Sequence, residues 1–176
     1  MERKIWLLKL LPTSELLKYF SIILLQSMIN WQSKKFSELS VEELYKILQL
    51  RNEVFVVEQN CAYQDCDGRD FSSWHITGWD EDVLIAYSRI LPPGLLYKDA
   101  ASIGRVLTSP LARGQEAGKQ LMFYSLKKLY DLFGEVKVTI GAQLYLKRFY
   151  ESFHFIQTGS IYLEDGIQHI PMERLV

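Results

Sequence analysis

Ser102-Ile103-Gly104-Arg105-Val106-Leu107-Thr108-Ser109-Pro110-Leu111-Ala112-Arg113-Gly114-Gln115-Glu116-Ala117-Gly118-Lys119-Gln120-Leu121-Met122 reads as strand, turn and helix. Ile103, Val106 and Leu107 carry the strand, and Pro110, which has no N–H to give to a ladder, stops it. Gly114 and Gly118 fall where a helix begins, and Leu121, Met122, Tyr124, Leu126 and Leu129 then recur at helical spacing. A helix that starts on glycines leaves its first amides unpaired and uncovered. With the positive end of the helix dipole, those amides suit a phosphate or pyrophosphate. Arg113 and Lys119 add positive charge on either side. Taken alone, the two glycines also suit an ordinary loop before an ordinary helix.

Downstream, Val136, Val138 and Ile140 alternate as in a strand, so the stretch closes a strand–helix–strand unit, which is a parallel crossover. A short helix from Gln143 puts Leu146, Phe149, Tyr150 and Phe153 on one face. Residues 155–163 and 168–174 then form a hairpin around Glu164-Asp165-Gly166. Upstream, Trp74–Trp79 and Val83–Leu91 are two antiparallel strands turning at Asp80-Glu81-Asp82, and Pro92-Pro93-Gly94 closes the second. Ahead of them, Trp31–Phe36 predicts a short strand. Ser40-Val41-Glu42-Glu43 is a capping box that starts a helix at Val41. Its apolar stripe runs Leu44, Leu48, Arg51 and Phe55, with Ile47 and Val54 beside it. Val54-Phe55-Val56-Val57 extends or ends that helix, and residues 58–70 form a long polar loop without period. The expected fold is a mixed α/β (α+β) sheet, mostly antiparallel, with one central parallel strand pair and flanking helices.

The 176 residues suggest one domain with a sizeable core, and no internal repeat interrupts it. A formal net charge of -1 gives no support for nucleic-acid binding. Two cysteines, Cys61 and Cys66, argue against a disulfide scaffold and for a reducing, cytoplasmic setting. The first 30 residues differ from the rest. Their longest uncharged run, Tyr19 to Ser33, falls short of the ~20 apolar residues of a spanning helix and ends polar. Lys9, Glu15 and Lys18 break any signal-peptide core. Three readings stay open here: an added amphipathic helix, a membrane-surface segment, or sequence upstream of a natural start at Met28, with the last preferred.

The turn before the long helix has no Gly-Lys-Ser/Thr ending of a nucleotide-binding P-loop and lacks the three-glycine dinucleotide fingerprint. Residue by residue, other chemistry is weak. Tyr150 lies on an apolar stripe like a core tyrosine. Glu58 reads as a solvated loop carboxylate, and His75 and His169 as structural strand histidines. Cys61, Cys66 and His75 lack a fourth ligand and zinc spacing, so no metal is expected. Cys61 as nucleophile has no identified base.

Arg113-Gly114-Gln115-Glu116-Ala117-Gly118 after a strand resembles the acyl-coenzyme A pyrophosphate loop of the GNAT superfamily of N-acetyltransferases. Phe149-Tyr150-Glu151-Ser152-Phe153-His154-Phe155 resembles that superfamily's Phe-Tyr-x-x-x-Gly-Phe signature. Leu50-Arg51, Phe55-Val56-Val57-Glu58-Gln59-Asn60-Cys61, Tyr63-Gln64-Asp65, Gly141-Ala142-Gln143, and Glu164-Asp165-Gly166 with His169-Ile170 are similar to the ElaA-like branch. The resemblance spans roughly Met28 to Val176, which leaves residues 1–27 as an N-terminal extension before a 28–176 acetyltransferase domain.

The resemblance implies acetyl transfer from acetyl-coenzyme A to a primary amine, on a small molecule or a peptide, by direct attack in a ternary complex. It assigns the cofactor to Val106, Leu107, Thr108, Arg113, Gly114, Gln115, Ala117, Gly118 and Lys119, with the amides around Val106 and Leu107 facing the thioester carbonyl. It makes Tyr150 the donor to the departing thiolate. Glu58 or His75 is the expected base. A silent acyl-coenzyme A sensor is the alternative, and the oligomeric state stays open, a homodimer included. Glu116 and His154 both stand where the superfamily's patterns have glycine. Glu116 is expected to point to solvent, and the turn at His154 to differ from the family's.

Overall fold

The computed structural model describes residues 29–114 and 116–175; the expected 1–27 extension, the start at Met28 and Gln115 lie outside these residues. The described residues open with β1 (Asn30–Lys35), then α1 (Val41–Arg51), capped as the sequence predicts. Ser40 Oγ accepts from the Glu43 N–H at 3.1 Å, and the Glu43 carboxylate accepts from the Ser40 N–H at 2.8 Å. The helix does not stop at Arg51. It widens into a π-helical stretch, Asn52–Glu58, whose Cys61 N–H reaches back to the Val56 carbonyl at 3.2 Å. The β-branched residues Val54, Val56 and Val57 crowd a tight α turn, and such widened turns are rare and concentrate at functional sites. The buried face of this unit is Ile47, Leu50, Arg51 and Val54, rotated from the expected Leu44–Leu48 stripe.

Four antiparallel strands follow in spatial order: β1, β2 (Trp74–Asp80), β3 (Val83–Leu91) and β4 (Ser102–Thr108). The long helix α2 (Ala117–Phe133) ends on Gly134 at φ 71°. A second sheet contains β5 (Val138–Gln143), β6 (Ile156–Gln157), β7 (Tyr162–Glu164) and β8 (Ile167–Arg174), with the short helix α3 (Lys147–Glu151) between β5 and β6. The β7–β8 turn is Asp165-Gly166, both at positive φ (48° and 80°), as a tight two-residue hairpin requires.

Leu121, Met122 and Leu129 of α2 are fully buried against Ile76, Ile90, Ile103 and Val138, and each such side chain contributes about 1.5–3 kcal/mol of burial. Ile47 and Leu50 of α1, with Val54, cover the opposite face through Trp79, Leu84, Tyr87 and Leu107. With both faces covered, β3 is buried from Leu84 to Leu91, and its two polar residues, Ser88 and Arg89, are buried with the apolar ones.

Of the expected central parallel pair the structure keeps one bridge. β4 and β5 meet at one parallel bridge, Ala101 to Val138, closed by the Ala101 N–H to Lys137 O (3.0 Å) and the Thr139 N–H to Ala101 O (2.9 Å). Beyond it the two strands share no ladder and belong to separate sheets. The reason lies in β4. Arg105 has φ 53°, and neither Arg105 nor Val106 has a partner on β3, whose register skips at Ser88. A bulge of this kind bends its strand and takes it out of the ladder. Ser88 itself is satisfied from below, its hydroxyl 2.7 Å from that of Ser125 on α2.

Candidate active site

Where β4 and β5 part, a cleft of about 1210 Å³ opens. Its first wall is the bulged part of β4 with the turn into α2; its second is the end of β5 with α3. The π-helical stretch and the loop after it close one end. Gln143 Nε2 donates to Gln59 Oε1 at 3.1 Å, and the Cys61 thiol donates to the Asp165 carbonyl at 3.3 Å, so this segment is tied to the second sheet.

Val106, Leu107, Thr108, Arg113, Gly114, Ala117, Gly118 and Lys119 all line this cleft, and so do Tyr150 and Glu58. Gln115 lies outside the described residues. In α2 the Gln120 N–H bonds the Glu116 carbonyl at 3.1 Å, and the amides of Ala117, Gly118 and Lys119 have no intrahelical acceptor among the described residues. Gly118 sits where a Cβ would meet Phe149 and Thr108 only at ordinary contact, 3.9–4.0 Å, so space beside it is open. Glu116 takes the left-handed conformation, φ 60°, that a glycine would adopt there. Its carboxylate is exposed and accepts from Lys119 Nζ at 2.6 Å, outward as expected. His154 likewise takes φ 64° and its N–H bonds the Glu151 carbonyl at 2.9 Å. The turn there keeps a glycine-like backbone in a bulkier residue.

Tyr150, at the end of β5's following helix, is 6% exposed and packs edge-on to Phe149 and Phe155. Its hydroxyl makes no hydrogen bond to the described residues, and burial pushes its pKa well above the usual phenol range. It keeps its proton throughout the neutral range and has it free to donate.

Glu58 and Arg113 form a two-pronged pair across the cleft mouth, Nη1 to Oε1 at 2.8 Å and Nη2 to Oε2 at 2.7 Å. Arg113's hydrogen bonds hold the Glu58 carboxyl below its usual range. Both groups are exposed, and such pairs contribute little to stability, so the pair opens readily.

His75 is a correction. It does not line the cleft. It is 1% exposed on β2, with Nδ1 2.8 Å from the Tyr87 hydroxyl and Nε2 3.2 Å from the Asp70 carbonyl. Burial lowers its pKa, so it stays neutral as a core histidine. The strand reading of the residue alone was sufficient to place it.

One network escaped the sequence reading. Arg51 and Arg89, 1% and 3% exposed, meet Asp65, Asp67 and Asp70 from the polar loop, and Arg69 and Arg105 join at its edge. Burial pushes Asp67 up, and Arg89 with Arg69 more than reverses it, holding the carboxyl far below its usual range. The three aspartates in six residues around Gly68 were the available signal. Among the described residues, no group of His, Cys, Asp and Glu is arranged to hold a metal, and no helix is long and apolar enough to cross a membrane.

Residues 76–176 match the family described as Acetyltransferase (GNAT) domain. Over 151 residues, 85% of this chain and 98% of the other, the sequence is 48% identical to Protein ElaA of Escherichia coli K12. The crystal structure of Escherichia coli ElaA superimposes with a TM-score of 0.79, covering 84% of this chain and 99% of that one. An acyl-CoA N-acyltransferase from Pseudomonas aeruginosa, 41% identical, superimposes with a TM-score of 0.80 over 84% of this chain and 99% of that one.

Proposed function

Because this chain belongs to the GNAT acetyltransferase family, we propose that it transfers an acetyl group from acetyl-coenzyme A to a primary amine. The observation that carries the reading is the convergence of three features on one cleft: the β4 bulge, the open start of α2 and the unpartnered hydroxyl of Tyr150. The pyrophosphate lies on the amides of Ala117, Gly118 and Lys119, with Arg113 turning from Glu58 to the phosphate. The pantetheine arm enters between β4 and β5, and the amides around Val106 and Leu107 face the thioester oxygen.

In the chemical step the amine nitrogen attacks the thioester carbonyl carbon, the N–C bond forms and the C–S bond breaks. The sulfur leaves as a thiolate and takes the Tyr150 proton or its hydrogen bond. An alkylamine with a pKa near ~10.4 must first lose a proton. Glu58, released when phosphate takes Arg113, accepts it directly or through water. While paired with Arg113 the same carboxylate is too weak a base to do so.

Coenzyme A at millimolar concentration is expected to raise the melting temperature, since a ligand that binds only the folded state stabilises it by mass action. A flat melt together with no heat of binding rejects the cofactor. Gly118→Val is expected to weaken coenzyme A binding far more than Glu116→Ala. A Cβ at this position meets its neighbours in the free protein only at 3.9 Å or beyond, and the branched side chain it carries would cover the amide that the phosphate approaches. Equal, small effects on the dissociation constant would remove the loop from the site. The reaction itself is tested by following thiol release across polyamines, amino acids, aminoglycosides and peptide N-termini. Bound coenzyme A with no release for any acceptor would favour the silent sensor.

A further inference from the structure

The network between the polar loop and the sheet does not balance. Arg51, Arg69, Arg89 and Arg105 bring four guanidinium groups to the three carboxylates of Asp65, Asp67 and Asp70. The inner pairs are close: Asp70 Oδ1 accepts from Arg51 Nη1 and Arg89 Nη1, each at 2.9 Å, and Asp67 accepts from Arg89 at 2.7 and 2.8 Å. Asp67 and Asp70 are both held below their usual range, so neither relieves the excess by gaining a proton near neutrality.

The unmatched charge faces the cleft. Arg69, Arg89 and Arg105 line it. Arg105 spends Nε on Asp65 Oδ1 (2.6 Å) and Nη2 on the Asp65 carbonyl (3.0 Å), and its Nη1 has no partner among the described residues. Arg69, with its side chain 42% exposed, gives Nη1 to Asp67 at 3.0 Å and keeps Nε and Nη2 unassigned. Arg89 Nε is buried with no partner among the described residues. Unmet guanidinium donors around a buried network recognise a planar anion, above all a carboxylate. Placement adds a second constraint. Arg105 is the bulge residue at φ 53°, next in the chain to Val106, so an anion held there lies beside the amides assigned to the thioester carbonyl. Elsewhere in the same cleft Glu164 forms no ion pair among the described residues.

We propose that the Arg69–Arg105 end of the cleft binds a carboxylate of the acceptor, which makes the acceptor an amino-carboxylate such as an amino acid or a short peptide. The proposal rests on the acetyl-transfer reading above for the word acceptor. It assigns Arg69 and Arg105 to substrate selection, with Asp65 as the positioning residue that fixes the Arg105 fork.

Binding and turnover test it separately. Protein saturated with coenzyme A is titrated with N-acetyl-L-amino acids and with the matching N-acetyl amino-acid amides, which differ only in the carboxylate. The acids are expected to bind about ten- to a hundredfold more tightly, the range for a hydrogen bond to a charged group. Arg69→Gln, at an exposed position, is expected to erase most of that preference while the coenzyme A melting shift stays unchanged, and Arg69→Lys to restore part of it. Equal or undetectable binding of acids and amides overturns the proposal, as does a preference untouched by Arg69→Gln. Free amino acids and their amides are then compared as acceptors by thiol release. Acids that bind better without thiol release leave the carboxylate site standing and remove the acetyl-transfer reading. Turnover with no discrimination between acids and amides does the reverse.

Discussion

Replacing Tyr150 with Phe is expected to lower kcat by roughly a hundred- to ten-thousand-fold, the range for loss of a general acid. The ring is packed among Phe149 and Phe155 at 6% exposure, and its hydroxyl bonds to no described residue. The substitution therefore removes no hydrogen bond from the folded, unliganded protein and leaves the packing in place. Stability should change little, and so should acetyl-coenzyme A affinity. Only the state in which sulfur carries charge loses a partner, so the loss falls on kcat, at about 2.7–5.5 kcal/mol of barrier. Burial raises the phenol's pKa, so the wild-type rate should show no basic limb from this group below pH 10. Steady-state kinetics and calorimetry on the same preparation decide it. A wild-type rate in the variant would return Tyr150 to the core and require another group to meet the thiolate.

How far the sequence could be read follows from the range of each signal. Local signals held. The Ser40–Glu43 cap, the Pro110 stop and the Asp165-Gly166 turn are written within a few residues and appear where they were expected. The family's glycine positions were also informative through their exceptions: Glu116 and His154 adopt φ 60° and 64°, so the surrounding fold imposes a left-handed backbone there on residues with a Cβ. Signals that depend on distant partners were lost. Arg51 was placed on an apolar stripe by spacing, correctly as buried, but what satisfies it lies 14 and 19 residues away on a loop without period. The β4 bulge was equally invisible, because Arg105 looks like any strand residue until its lack of a partner on β3 is seen. That one residue is why the expected parallel pair became a single bridge and a cleft.

Asp70→Asn is expected to destabilise the protein by about 3 kcal/mol, at the low end for breaking a buried charge pair because the amide oxygen still accepts a hydrogen bond. Asp70 Oδ1 is the shared acceptor of Arg51 and Arg89, whose side chains are 1% and 3% exposed. Without its charge, two buried guanidinium groups face each other across a neutral amide. For a protein of this size the melting temperature should fall by roughly 6–12 °C. The pH dependence distinguishes charge from shape. Burial opposes ionisation of Asp70, and Arg51 and Arg89 overcome it, so its folded pKa lies below the unfolded value. Its contribution is therefore complete above the unfolded pKa of about 3.9 and is lost as pH falls through the lower folded value. Wild type and variant melts should differ by a constant amount from pH 5 to 8 and converge below about pH 4. Denaturant unfolding at several pH values measures this directly. A gap that persists undiminished into strong acid would mean that Asp70 acts through shape alone, and that the network's excess positive charge is not held in check by its carboxylates.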